Sequence, residues 1–211
     1  MCVLLISIYY RAENYIKIYM KKIALLKTGI LLATLISINH SVFAQRFKGL
    51  DKAPHDISYY RVSMVTPPVV KVIYGRPQKN GQEVFGNIVA YNKLWRTGAN
   101  EATEVRFYKD VVFGDVKILA GTYVLYTIPG EKDWEVILNA NLDVLGAFQY
   151  DSAFDVARIK VPISKAEELE AFSIVFQEQK QENIQMVLGW DTTRVKIPLR
   201  ITEPTTYAKY E

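Results

Sequence analysis

Cysteine and histidine are almost absent from this chain. Its 211 residues include one cysteine, Cys2, and two histidines, His40 and His55. A disulfide framework and a thiolate metal site are therefore excluded from nearly the whole sequence. No glycine-rich loop precedes a helical pattern, so a phosphate-cradling motif is absent as well. From the sequence we assign no metal, no cofactor and no catalytic residue.

The N-terminal segment predicts a secretory signal. Residues 20–44 begin with two lysines after Met20, continue into a short apolar core at Gly29–Ile38, and end in small or compact residues that predict cleavage after Ala44. The apolar core is too short for a bilayer interior of about 30 Å. The alternative interpretation is a membrane anchor through residues 23–38.

The charge balance depends on this leader. The whole chain has 26 basic and 22 acidic residues, of which residues 1–44 hold five and one, leaving 21 of each. The net positive charge therefore belongs to the leader, and we expect no nucleic-acid partner. Residues 1–19 do not fit a signal and are interpreted as a mis-called upstream extension, with Met20 as the true start. We expect an exported protein, periplasmic or extracellular, with no stable membrane span after cleavage.

The rest of the sequence alternates with a period close to two, which predicts β-strands. Pro and Gly clusters separate about nine or ten short strands, a pattern typical of a single antiparallel β-sandwich or jelly-roll-like domain. We place this domain at residues 57–202, after an N-terminal arm at 45–56 and before a tail at 203–211. A capping-box pattern predicts one short helical turn near 164–169, and residues 191–193 are predicted to turn the chain.

The segment from Trp95 to Thr103 gathers polar side chains in an otherwise plain β sequence. A guanidinium suits a carboxylate or phosphate, an amide and a carboxylate suit hydroxyl groups, and an aromatic ring suits a sugar ring. A second arginine, held extended by Pro77, precedes it. The predicted ligand-binding residues are Arg76, Tyr91, Trp95, Arg96, Thr97, Asn100 and Glu101.

The same segment has a purely structural interpretation. Arg96 would pair with Glu101 or another acid, Thr97 and Asn100 would satisfy the backbone of a turn, and Trp95 would belong to the core. Arg76 would then be a solvated arginine at the end of a strand. The sequence leaves both interpretations open.

A third group of residues follows Phe148. Asp151 and Asp155 would bind Ca²⁺ if loop carbonyls helped, although their spacing matches no calcium loop and solvated acids are the alternative. Glu101 together with Asp151 or Asp155 would also give the two carboxylates of a hydrolase.

Six motifs occur in order along the chain: Tyr74-Gly-Arg-Pro77, Gly81 with Phe85-Gly86, Trp95 to Thr103, Ala120-Gly-Thr-Tyr123, Ile128-Pro129 with Trp134, and Tyr150-Asp151 with Asp155 and Arg158. Together they resemble a known bacterial family, domain of unknown function 2911. The resemblance covers residues 57–200 and departs from the family at Leu145, where a tryptophan is expected. It implies an exported single-domain protein of Bacteroidetes-type bacteria, with no activity to transfer.

Three functions therefore compete. The first is a non-catalytic β-sandwich that binds a small polar ligand, a glycan or an anionic metabolite. The second is a structural or protein-interaction module of the cell envelope whose protein partner the sequence does not identify. The third is the carboxylate-dependent hydrolase.

Overall fold

A computed structural model describes residues 2–38, 49–179 and 183–202. The chain divides into two compact units, Met1–Gly49 and Leu50–Glu211. Nine strands and two helical segments occur in the described residues. They are α1 (Cys2–Ile38), β1 (His55–Tyr60), β2 (Val70–Gly75), β3 (Thr103–Phe107), β4 (Val111–Phe113), β5 (Val116–Ile118), β6 (Gly121–Pro129), β7 (Asp133–Asn139), a 3₁₀ helix (Ser152–Phe154), β8 (Asp155–Glu178) and β9 (Asn183–Ile201).

The first unit contains α1, which continues without a break across the predicted boundary at Met20. Among the described residues, no helical segment combines the length and apolar character that a membrane crossing requires. The predicted cleavage site after Ala44 lies outside the described residues, as does the tail at 203–211.

The second unit has an all-β, sandwich-like fold, as predicted. Its strands are antiparallel and follow the order β1-β2-β3-β6-β7-β8-β9-β4-β5. The long strand β8 connects two ladders: residues 155–162 pair with β7, and the ladder with β9 begins at Ile163 opposite Val195. The alternating residues of both ladders face a common core, which is why period-two patterning identified the class.

The predicted helical turn near 164–169 is wrong, because β8 remains extended there. The register with β9 shifts between Lys165 and Leu169, so the intervening residues form a bulge. Arg194 on β9 holds this bulge: its guanidinium donates to the carbonyls of Asp191 and Thr193, each at 2.9 Å, and to the carbonyl of Glu167. Only the bond to Glu167 crosses from β9 to β8, and it fixes the backbone of the bulge on its partner strand.

The predicted turn at 191–193 is also wrong, since β9 continues through it. Asp191 adopts a left-handed φ of 49°, which bends the strand without ending it. The Asp191 carboxylate accepts a hydrogen bond of 3.0 Å from Lys79 Nζ, and Glu168 accepts another of 2.6 Å. Lys79 thereby fastens the long loop after β2 to the bulge between β8 and β9.

Aromatic rings dominate the main core. Trp95 stacks on Trp190 with ring centroids 6.1 Å apart, and Phe172 meets the Trp95 ring edge-on at 5.1 Å. A smaller cluster lies apart from this core, where Val144 packs with Tyr126. The segment after β7 therefore covers part of the sheet and forms the surroundings of the candidate site.

Candidate functional site

Trp95, the first residue of the polar segment, lies inside the protein. Its backbone exchanges two hydrogen bonds with Thr127 of β6, at 2.7 and 3.0 Å. Its indole N–H donates to the Gly98 carbonyl at 3.1 Å, and the side chain is only 9 % exposed. Trp95 is thus a core residue and offers no open wall to a ligand.

The centre of the segment is a tight, buried loop. Thr97 has a φ of 57° and is fully buried, with its hydroxyl 3.0 Å from that of Thr127. The Thr103 hydroxyl donates to the Thr97 carbonyl at 2.7 Å. A Cβ on Gly75 would lie 2.0 Å from the Ala99 carbonyl oxygen, so the loop also touches the end of β2 directly. Thr97 is therefore part of a brace between β2, β3 and β6.

Arg96 differs from its neighbours because its side chain is half-buried and has no hydrogen bond or ion pair among the described residues. Its Nε is shielded from solvent without a partner. A Cβ on Gly146 would lie 3.8 Å from Arg96 Cδ and 3.4 Å from the Phe148 ring. The arginine stem and the ring therefore both lie within 4 Å of the position that a Cβ would take on Gly146, and Phe148 is 89 % exposed.

Glu101 does not pair with Arg96, contrary to the structural interpretation of the sequence. Its carboxylate lies 3.1 Å from His55 Nε2 and is 61 % exposed. Asn100, also exposed, donates to the Ala53 carbonyl at 3.3 Å. Glu101 also contributes to the lining of a cavity of about 330 Å³. Both residues thus lie at the surface and close to the start of β1.

The two candidate arginines are directed to different neighbours. Arg76 donates to Asp56 Oδ2 at 2.9 Å and to Ser173 Oγ at 3.1 Å, which joins β1 to β8. Arg96 instead lies beside Gly146. Tyr91 is half-buried and packs against the main core. We therefore centre the candidate site on Arg96, with Arg76 and Tyr91 outside it.

Asp155 is the hub of a second polar network. Its carboxylate accepts hydrogen bonds from Asn139 Nδ2, the Tyr150 hydroxyl and the Arg158 guanidinium, each at 2.8 Å, and it is 14 % exposed. Arg158 also donates to Glu135 at 2.6 Å. All these polar groups belong to β7, β8 and the segment between them, so the network ties that segment to the sheet.

The contacts of Asp151 and Asp155 bear on two hypotheses from the sequence, the calcium site and the carboxylate-dependent hydrolase. Asp151 caps the 3₁₀ helix by accepting from the Ala153 amide at 2.9 Å, and Asp155 is engaged as described. The described residues contain no group of three or more histidine, cysteine, aspartate or glutamate side chains arranged to hold a metal ion. Both acids therefore have structural partners, and neither the calcium site nor the hydrolase gains support.

The Tyr150 hydroxyl makes the stability of the fold depend on pH. Burial, reinforced by Asp155, raises the pKa of this hydroxyl from 10.0 to about 12. A raised pKa stabilises the fold below pH 10, and this contribution is lost as the pH rises from 10 to 12. In urea unfolding across that interval, we expect wild type to lose about 1 kcal/mol more than Tyr150→Phe, which is less than the full pKa shift would give because the hydroxyl is partly exposed to screening solvent.

The control is Tyr108→Phe, which removes a hydroxyl from an exposed ring and should keep the wild-type decline. Equal declines in wild type and Tyr150→Phe would show that the Tyr150 hydroxyl is not protected by the network.

Phe148 is the residue that sequence reasoning did not connect to the site. The sequence places it only at the start of the acidic group, 52 residues after Arg96. Nothing in the sequence signals that the segment after β7 folds back over Arg96. The one available hint is Gly146, whose φ of 63° allows the sharp turn that brings the ring there.

Comparison with known proteins gives one match. The family model described as "Protein of unknown function (DUF2911)" matches residues 59–199. No curated protein and no solved structure matches the chain.

Proposed function

Since the chain belongs to the family described as Protein of unknown function (DUF2911), we propose from its own residues that the domain is a non-catalytic module that binds a small polar ligand. The ligand class is an acidic sugar or another small metabolite with a carboxylate or phosphate. Arg96 would hold the anionic group, and Phe148 would cover the apolar face of the ligand.

The observation that supports this proposal is the half-buried Arg96 guanidinium, which has no hydrogen bond or ion pair among the described residues. Burying a charged donor without a partner costs free energy, and the Nε of Arg96 is buried in that way. A carboxylate or phosphate satisfies the planar guanidinium through two parallel hydrogen bonds. An anionic ligand would therefore gain binding energy at a position the fold leaves unsatisfied.

The neighbouring ring supports a sugar as the ligand. Phe148 is a large apolar side chain left in solvent beside Arg96, and aromatic faces favour flat apolar surfaces. A sugar acid combines such a surface with a carboxylate. Asn100 and Glu101 are surface residues of the same segment, but their described partners are Ala53 and His55.

Export belongs to the same proposal. Residues 20–44 begin with two lysines and contain a short apolar core, and this pattern supports a cleaved signal. The balanced charge of the remaining sequence fits a domain that works outside the cytoplasm on small molecules rather than on nucleic acid. Mass spectrometry of the mature protein tests this, with Gln45 expected at its N-terminus.

Arg96→Ala tests the site directly. Titration calorimetry with oligogalacturonate and with inorganic phosphate is expected to show binding to the wild type, weakened about 30-fold in the variant because a charge-assisted contact is lost. Arg96→Lys should restore only part of the affinity, since an ammonium cannot form the bidentate contact. Neutral galactose oligomers should bind more weakly than the acidic ones.

The control is Arg200→Ala, which removes an exposed arginine on β9 and should leave binding unchanged. A melting temperature of Arg96→Ala far below that of Arg200→Ala, with no ligand bound by either protein, would instead assign Arg96 to a structural module of the cell envelope.

A further inference from the structure

Two of the most exposed apolar side chains in the second unit lie at the tip of the loop between β1 and β2. Met64 is 94 % exposed and Val65 is 93 % exposed. Val62, two residues before Met64, is 66 % exposed. Single exposed apolar residues are ordinary, but a consecutive pair at the end of a protruding loop calls for an explanation.

This tip is held rigidly. Arg61 donates to the Thr66 carbonyl at 2.7 Å. The Thr66 amide and hydroxyl both donate to the Ser63 carbonyl, at 3.2 and 3.0 Å, while the Ser63 amide donates to the Thr66 hydroxyl at 3.1 Å. Met64 and Val65 are therefore the two central residues of a closed turn, which keeps them in solvent.

Aromatic and basic side chains flank the turn. The Arg61 guanidinium lies over the Tyr59 ring at 5.4 Å, and the Arg106 guanidinium lies over the Tyr108 ring at 4.8 Å. Tyr108 and Lys109 also line an apolar cavity of about 480 Å³ beneath the loop, with Val62, Pro67 and Pro68. Two acids lie near the turn: Asp110 accepts a hydrogen bond of 2.9 Å from the Ala120 amide, and Glu178 lies beside the Tyr60 hydroxyl.

We propose that the turn at residues 61–69 docks on an anionic lipid bilayer and inserts Met64 and Val65 below the headgroups. Tyrosine rings prefer the interface between headgroups and acyl chains, and arginine and lysine are attracted to anionic headgroups. The turn combines these features: an exposed apolar tip, tyrosines on both flanking strands and basic residues beside them.

The small size of the tip favours a bilayer over a protein partner. A stable protein interface buries about 800 Å² on each side, far more than two side chains on a turn provide. Peripheral membrane attachment needs only a few inserted apolar groups, reinforced by charge. The proposal is independent of Arg96, because no residue of the turn takes part in that site.

A fluorophore at position 65 of the full chain tests the insertion. The single native cysteine is removed by Cys2→Ser, and an environment-sensitive label is attached through Val65→Cys. With vesicles of equal parts phosphatidylglycerol and phosphatidylcholine, we expect a blue shift of emission and quenching by lipid-borne quenchers. Adding Met64→Asp should abolish both, and phosphatidylcholine vesicles alone should give a weaker response.

The matched control is the same label attached through Phe154→Cys, an exposed position in the 3₁₀ helix that belongs neither to the turn nor to the Arg96 site, where neither signal is expected. The readout is local, so attachment of the chain through any other segment does not imitate it. No shift at position 65, or an equal shift at position 154, would overturn the proposal. A shift that grows with protein concentration without lipid would assign the turn to self-association and would also overturn it.

Discussion

Gly75→Ala is expected to destabilise the domain by about 3 kcal/mol, the upper range for overpacking a rigid site. The added methyl group would lie 2.0 Å from the Ala99 carbonyl oxygen and 2.7 Å from its carbon, so backbone rather than a flexible side chain must move. Moving Ala99 in turn strains the buried Thr97 contacts with β3 and β6. Urea unfolding of the variant measures the loss, which corresponds to a melting temperature lower by about 10 °C.

Gly49→Ala is the matched control, because a Cβ there meets nothing within 4 Å, and its effect should stay within about 0.5 kcal/mol. If Gly75→Ala cost no more than this control, the loop from Trp95 to Thr103 would have to yield easily, and its role as a brace would be refuted.

The second large effect is expected for Asp155→Ala, at about 3 kcal/mol. The substitution removes the shared acceptor of Asn139, Tyr150 and Arg158, and Asn139 is fully buried. Members of a buried network left unsatisfied carry a desolvation cost as well as the lost bonds. Chemical denaturation should therefore show a lower midpoint with an unchanged slope.

Asp115→Ala provides the comparison, since Asp115 is exposed in the turn between β4 and β5. Asp155→Asn should lie between the two, because an amide keeps one acceptor but brings its own donors toward Arg158. Equal stability of Asp155→Ala and Asp115→Ala would mean that the segment after β7 is held by apolar packing alone.

The fold class was predictable because alternation with period two is a local property. The inward-facing residues of β9, such as Ile184, Met186 and Leu188, can be recognised from their alternation within a few residues of sequence. The bulge in β8 was not, because its stabilising partner, Arg194, is 27 residues away from Glu167. A capping-box pattern signals a helix only when no neighbouring strand competes for the same backbone groups.

The site was predictable only in part. The sequence singles out Arg96 as a candidate, since it stands out chemically within the Trp95 to Thr103 segment. It did not separate Arg96, whose guanidinium is unpaired within the part of the chain that the structure describes, from Thr97, which faces inward. In an irregular loop no periodicity tells which side chains face inward, and a left-handed residue such as Thr97 disrupts even short alternation.

The closing of the second ladder has a consequence for how the chain reaches its native state. Val111 of β4 pairs with Ile201 of β9, about 90 residues later. The β4–β5 hairpin forms locally, but its place beside β9 exists only after the last strand has been made. Folding from the ribosome or from a translocation pore is therefore expected to finish only once the C-terminal strand emerges, and the hairpin must wait with an unpaired edge until then.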